Sequence, residues 1–93
     1  MPELSRFLGI VIAMYYRDHG PAHFHAIYGE FEATVNIVTG QLNGELPKRV
    51  LAHVQEWRML HQNELLQAWV WPRLNNHFQR LLRWSNNHVA ENS

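Results

Sequence analysis

The sequence predicts an α+β domain: an antiparallel meander of three to four strands over about residues 8–43, then two or three helices over about residues 47–84, packed on one face of the sheet. Three observations predict it. Between Phe31 and Val38, the apolar Phe31, Ala33, Val35 and Ile37 alternate with Glu32, Thr34 and Asn36, the period of a half-buried strand. Beyond Pro47 the apolar spacing lengthens to that of a helix, through Val50, Leu51, Val54, Trp57, Met59 and Leu60. The strand-like stretches are separated by turns of a few residues, which join only antiparallel neighbours.

The first strand is expected at Leu8–Tyr16, where both alternating sets are apolar or aromatic. Gly20 and Pro21 make a turn into a second strand, Ala22–Tyr28. Gly29-Glu30 then turns the chain into the third, Phe31–Val38. Thr39-Gly40 leads to a short fourth strand near Gln41-Leu42, and Asn43-Gly44 closes the β half. Pro47 suits the start of a helix. Its stripe is expected to lay Val50, Trp57 and Leu60 on the sheet, with a break near Gln62-Asn63 and a second helical segment through Leu65, Leu66, Ala68 and Trp69. Pro72 should end that segment. Leu74, Phe78, Leu81, Leu82 and Trp84 form a third stripe, too apolar for a solvated helix and therefore expected to pack on the domain or on a second copy, a homodimer being favoured.

The 93 residues make one domain, with a β half at 1–45, a helical half at 46–84 and a frayed tail at 85–93. There is no cysteine, which excludes disulfides, iron–sulfur clusters and Cys-based zinc sites. Lys plus Arg and Asp plus Glu both number 8, so nucleic-acid binding by net charge alone is not expected. No leader-like N-terminus and no apolar run near the ~20 residues of a membrane span is seen, so the expected location is cytoplasmic, away from the membrane. Trp57, Trp69, Trp71 and Trp84 are expected in the core and at helix contacts, and Arg58, Arg80 and Arg83 on solvated helical faces.

The chemistry concentrates in Asp-His-Gly-Pro-Ala-His-Phe-His-Ala, residues 18–26. On a strand, residues two apart share a face, so His23 and His25 point one way and Phe24 the other. His19, before the turn, can fold back over them. Three readings follow. His19, His23 and His25 can hold a divalent metal, zinc or nickel, with Asp18 or Glu30 beside it. Without a metal, His23 and His25 can act as an acid–base pair on a phosphodiester, supported by Tyr28 and Arg17. In the third reading the histidines are structural and satisfy backbone groups left open by the turn. The spacing also invites comparison with His-apolar-His-apolar-His hydrolases, but the third position here is Ile27. No cofactor is called for outright. His61 can reach the cluster only if its helix crosses the strand mouth.

Met1-Pro2-Glu3-Leu4-Ser5-Arg6-Phe7-Leu8-Gly9-Ile10, Met14-Tyr15-Tyr16-Arg17-Asp18-His19, Pro21-Ala22-His23-Phe24-His25-Ala26-Ile27-Tyr28-Gly29-Glu30, Leu46-Pro47-Lys48-Arg49, Glu56-Trp57, His61, Glu64-Leu65 and Trp69 together resemble a family of small bacterial proteins, domain of unknown function family 4160. The resemblance covers about residues 1–70. It implies a partner, since such proteins are often encoded beside a second small protein in pairs that look like toxin–antitoxin modules. RNA cleavage or protein binding are the activities it suggests. It assigns no catalytic residue. Two functions are therefore carried forward: an enzyme acting on RNA phosphodiesters through the histidine cluster, and a non-catalytic interaction module whose histidines are structural.

Overall fold

In a computed structural model, residues 3–15 and 20–71 are described. Five strands, β1 (Glu3–Phe7), β2 (Ile10–Ala13), β3 (His23–Tyr28), β4 (Phe31–Asn36) and β5 (Leu42–Gly44), precede two helices, α1 (Lys48–Leu60) and α2 (Gln62–Val70). The sheet order follows the chain, β1-β2-β3-β4-β5, and every pairing is antiparallel. The architecture is thus α+β, with one strand more than expected.

The additional strand comes from the N-terminus. What reads as one strand from Leu8 is a hairpin, because Leu8 and Gly9 form its two-residue turn with φ of 52° and 78°. Turns with positive φ at both central positions match the twist of a hairpin, and glycine takes the second without strain. Glu-Leu-Ser-Arg-Phe hides as a strand because a bulge breaks its alternation. The register shifts between Glu3 and Ser5, and the consecutive Leu4 and Ser5 are both buried. β4 ends at Asn36, two residues early, and Asn43-Gly44 lies inside β5 rather than after it.

The core lies on one face of the sheet. Leu4, Ile10, Ile12, Met14, Phe24, Ala26, Val35 and Ile37 meet Val50, Val54, Trp57, Leu65 and Ala68 of the helices. A fully buried side chain such as Phe24, Ile12 or Val54 contributes about 1.5–3 kcal/mol over its exposed state. Trp57 is the hub: its indole stacks on Phe7 at 5.6 Å and takes the edge of Phe24 at 5.7 Å.

Two expectations for the helical stripe fail. Leu60 and Met59 are 70% and 67% exposed, so the stripe runs Val50–Val54–Trp57 and then bends away. The chain breaks at His61, φ −119° and ψ 23°, beside the expected Gln62-Asn63. Arg58, expected in solvent, is 9% exposed. Its guanidinium donates to the carbonyl of Ile37 at 2.9 Å and of Val38 at 3.3 Å, and to Gln55 Oε1 at 2.8 Å. Gln62 Nε2 donates to the same two carbonyls, and Gln55 Nε2 to the carbonyl of Gly40 at 2.8 Å. Three helical side chains therefore clasp the β4–β5 turn. Trp69 is half-buried and Trp71 half-exposed. No helix among the described residues is long and apolar enough to cross a membrane. The third helical stripe, with the dimer contact expected of it, lies outside the described residues.

The clasp depends on Gly40. Its φ is +80°, and a Cβ there would stand 2.8 Å from both Arg58 Nη2 and Gln55 Oε1. Gly29, φ +58°, has no atom near its own hypothetical Cβ. Gly29→Ala should cost only the left-handed strain of an L-residue, about 1–2 kcal/mol. Gly40→Ala should cost that plus part of the hydrogen bonding to the guanidinium, a further ~1–3 kcal/mol. Urea unfolding of both variants checks this; equal losses would mean that the clasp carries no stability.

Candidate functional site

The site is built by the alternation of β3. Phe24 and Ala26 are fully buried against the helices, so His23 and His25 stand on the opposite face, both partly exposed. Their ring centroids are 5.5 Å apart. The hairpin through Gly29-Glu30 sets the register, pairing His23 with Asn36, His25 with Thr34 and Ile27 with Glu32. Each imidazole is anchored through Nδ1. That of His23 donates to the carbonyl of Pro21 at 2.8 Å, and that of His25 to Glu32 Oε2 at 3.2 Å. A carbonyl or carboxylate oxygen only accepts, so the neutral ring must carry its proton on Nδ1. Nε2 is then the unprotonated nitrogen of each neutral ring. Tyr15 meets His25 edge-on at 4.3 Å, and Trp69, from the end of α2, lies 5.0 Å from His23.

Beside His23 opens a cleft of about 250 Å³ lined by Pro21, His23, Thr34, Asn36, Gln41 and Asn43. It crosses three strands in two rungs. His23, Asn36 and Gln41 form one, with the Asn36 backbone N–H donating to the Gln41 carbonyl at 2.9 Å, and His25, Thr34 and Asn43 form the next.

Of the residues singled out in the sequence, the structure brings together His23 and His25. Tyr28 is separated from them: it shares the parity of Phe24 and Ala26, packs against the core and lies beside Gly9, so it cannot support the pair. Glu30 is exposed in the β3–β4 turn, and the carboxylate at the site is Glu32. Arg17, Asp18 and His19 lie outside the described residues. Among the described residues no group of three His, Cys, Asp or Glu side chains is placed to hold a metal ion, so the expected zinc or nickel site has two of its three ligands here.

His61 does not join the cluster. Its ring lies against Trp57 at 5.1 Å, on the helical side of the sheet. Glu32, Tyr15, Trp69 and the cleft amides were not among the expected site residues. Glu32, Thr34 and Asn36 were readable, since they form the polar set of the alternating β4 strand and a two-residue hairpin fixes which histidine each faces. Trp69 was not, because its meeting with His23 depends on the angle of α2.

Residues 9–70, well over half of the chain, match the model of one family, described as a domain of unknown function, DUF4160. The chain belongs to the DUF4160 family. No curated protein and no solved structure matches it. The matched stretch of this DUF4160 chain contains both histidines, the cleft and both helices, and ends at Val70, the last residue of α2.

His61 gives the fold a pH dependence. Burial against Trp57 lowers its pKa from the ordinary 6.5, and nearby Glu64 offsets part of that effect. The unfolded chain therefore takes up a proton at a higher pH than the folded one. The resulting stability is full above the unfolded value and is lost as pH falls through 6.5 toward the lower folded value. Unfolding free energy measured across this window should fall with acidification, and His61→Gln should flatten the slope. An unchanged slope in the variant would exclude His61 as its source.

Proposed function

We propose that the His23–His25 pair is an acid–base site for cleaving RNA phosphodiesters, carried by one half of a two-protein, toxin–antitoxin-like module. The observation that carries the reading is the pair itself: two imidazoles 5.5 Å apart, each held through Nδ1, beside a cleft. One imidazole takes the proton of a ribose 2′-hydroxyl as the 2′-oxygen attacks phosphorus. The other gives a proton to the departing 5′-oxygen, so the P–O5′ bond breaks and a 2′,3′-cyclic phosphate forms. The Glu32 carboxylate compensates the charge that His25 acquires on taking a proton, as in other carboxylate–histidine pairs. The two-protein setting is supported by the family resemblance. His19 would serve as a phosphate contact and Arg17 as a support, both lying a few residues before His23 in the sequence.

A second reading, an interaction module with structural histidines, is favoured by the exposed Met59 and Leu60 at the end of α1. The test is cleavage of a single-stranded RNA by the full chain, followed across pH. The first reading expects a bell-shaped profile and cyclic-phosphate ends, with His23→Ala or His25→Ala each lowering the rate by about 10²-fold or more. Absence of cleavage by folded wild type, or full activity in both variants, would overturn it in favour of the second.

A further inference from the structure

Each histidine of the pair is fastened from the outside. Pro21, whose carbonyl accepts from His23 Nδ1, precedes His23 on the chain. Glu32, whose carboxylate accepts from His25 Nδ1, is paired across the hairpin with Ile27, two residues beyond His25. The two acceptors therefore lie at opposite ends of the His23–His25 segment, and the two Nδ1 edges are turned away from each other. The opposite edge of an imidazole carries Cδ2 and Nε2. Those edges face inward, so the two Nε2 atoms are turned toward the space between the rings.

The tautomer makes this a convergence of two acceptors. Each neutral ring has its proton on Nδ1 and a lone pair on Nε2. Two lone pairs turned toward one point suit a cation, and imidazole nitrogen suits zinc. The spacing fits as well. Zinc binds an imidazole nitrogen at ~2.0–2.1 Å, which puts the ring centroid ~3.2 Å from the ion, so two imidazoles at a tetrahedral angle stand ~5.2 Å apart. The observed separation is 5.5 Å. The outer partners, one backbone carbonyl and one carboxylate, are the groups that fix metal-ligating histidines and raise their basicity. The strand adds rigidity: β3 is paired on both sides, and the His25 side chain is 15% exposed.

We infer that His23 and His25 form a two-imidazole site for a divalent zinc ion, bound through both Nε2 atoms, with Glu32 and the Pro21 carbonyl holding the ligands in place. Magnesium prefers oxygen ligands, so the site discriminates against it. The binding site stands on the geometry of the pair. Its consequence for catalysis rests on the acid–base reading: the lone pair that would take up a proton is the one that holds the ion, so bound zinc suppresses RNA cleavage.

The probe is zinc chloride, titrated by calorimetry into the full chain without a histidine tag at about pH 7.5, where an ordinary histidine is mostly neutral. One ion should bind at the pair, the Nε2 resonances of His23 and His25 should move with it, and magnesium chloride should move neither. His23→Ala and His25→Ala should each weaken zinc about 10²-fold, and Glu32→Ala about tenfold, the usual worth of an outer partner. His53→Ala, at an exposed position of α1, should leave the affinity unchanged. The Nε2 shifts of wild type locate the ion even if a variant fails to fold.

Zinc that does not bind, that binds equally to wild type and to both folded histidine variants, or that moves only other imidazoles would overturn the site and leave the acid–base reading standing. Zinc held by the pair while RNA cleavage continues at saturation would overturn the suppression. Zinc held by the pair in a chain that cleaves no RNA would support the site and reject the catalysis.

Discussion

The alternation of β3 is the constraint on which the rest of this molecule depends. Phe24 and Ala26 enter the core, and His23 and His25 are thereby fixed on the other face. A slip of one residue would drive two imidazoles among Ile12, Val35 and Trp57 and expel a phenylalanine, so the register is strongly specified. The strand is central, paired on both sides by β2 and β4. Its stability and the position of the histidines therefore have one cause.

The packing of the helices reaches the same site by a different route. Gln55, Arg58 and Gln62 grip the carbonyls of Ile37, Val38 and Gly40, and Asn36 closes that turn from within. Asn36 is also a wall of the cleft. A contact that fastens helix to sheet thus sets the orientation of an amide on the opposite, polar side. Arg58 suits this role because it is charged, forked and at the C-terminal turn of α1, where a cation also meets the negative end of the helix dipole. Its burial is satisfied by oxygens of the turn and of Gln55.

Much of this was legible before any coordinates. Period-two alternation located β4, the turns at Gly20-Pro21 and Gly29-Glu30 bounded β3, and Pro47 marked the start of α1. The shared face of His23 and His25 follows from their spacing alone. The parts that were not legible have specific reasons. β1 is concealed by its bulge, which puts Leu4 and Ser5 both in the interior. The turn at Leu8-Gly9 lies inside an unbroken apolar run, so composition favours a strand where backbone geometry makes a hairpin. Leu60 keeps helical spacing with Trp57 yet is exposed, because the helix bends away at His61 and leaves it beyond the sheet. Tyr28 looked close to the histidines in sequence, but an odd number of residues on a strand puts it on the other side. Arg58 reads as solvated until the open carbonyls of the β4–β5 turn are placed beside it.

The central claim is that the fold holds both histidines in the same tautomer, with Nδ1 tied to an acceptor. Long-range nitrogen–proton correlation spectra of the imidazoles, recorded at about pH 8 where an ordinary histidine is neutral, report that tautomer directly. The account predicts protonated Nδ1 and unprotonated Nε2 for both His23 and His25, with the His25 signal moved by Glu32→Gln. Nε2–H tautomers at either residue would contradict it.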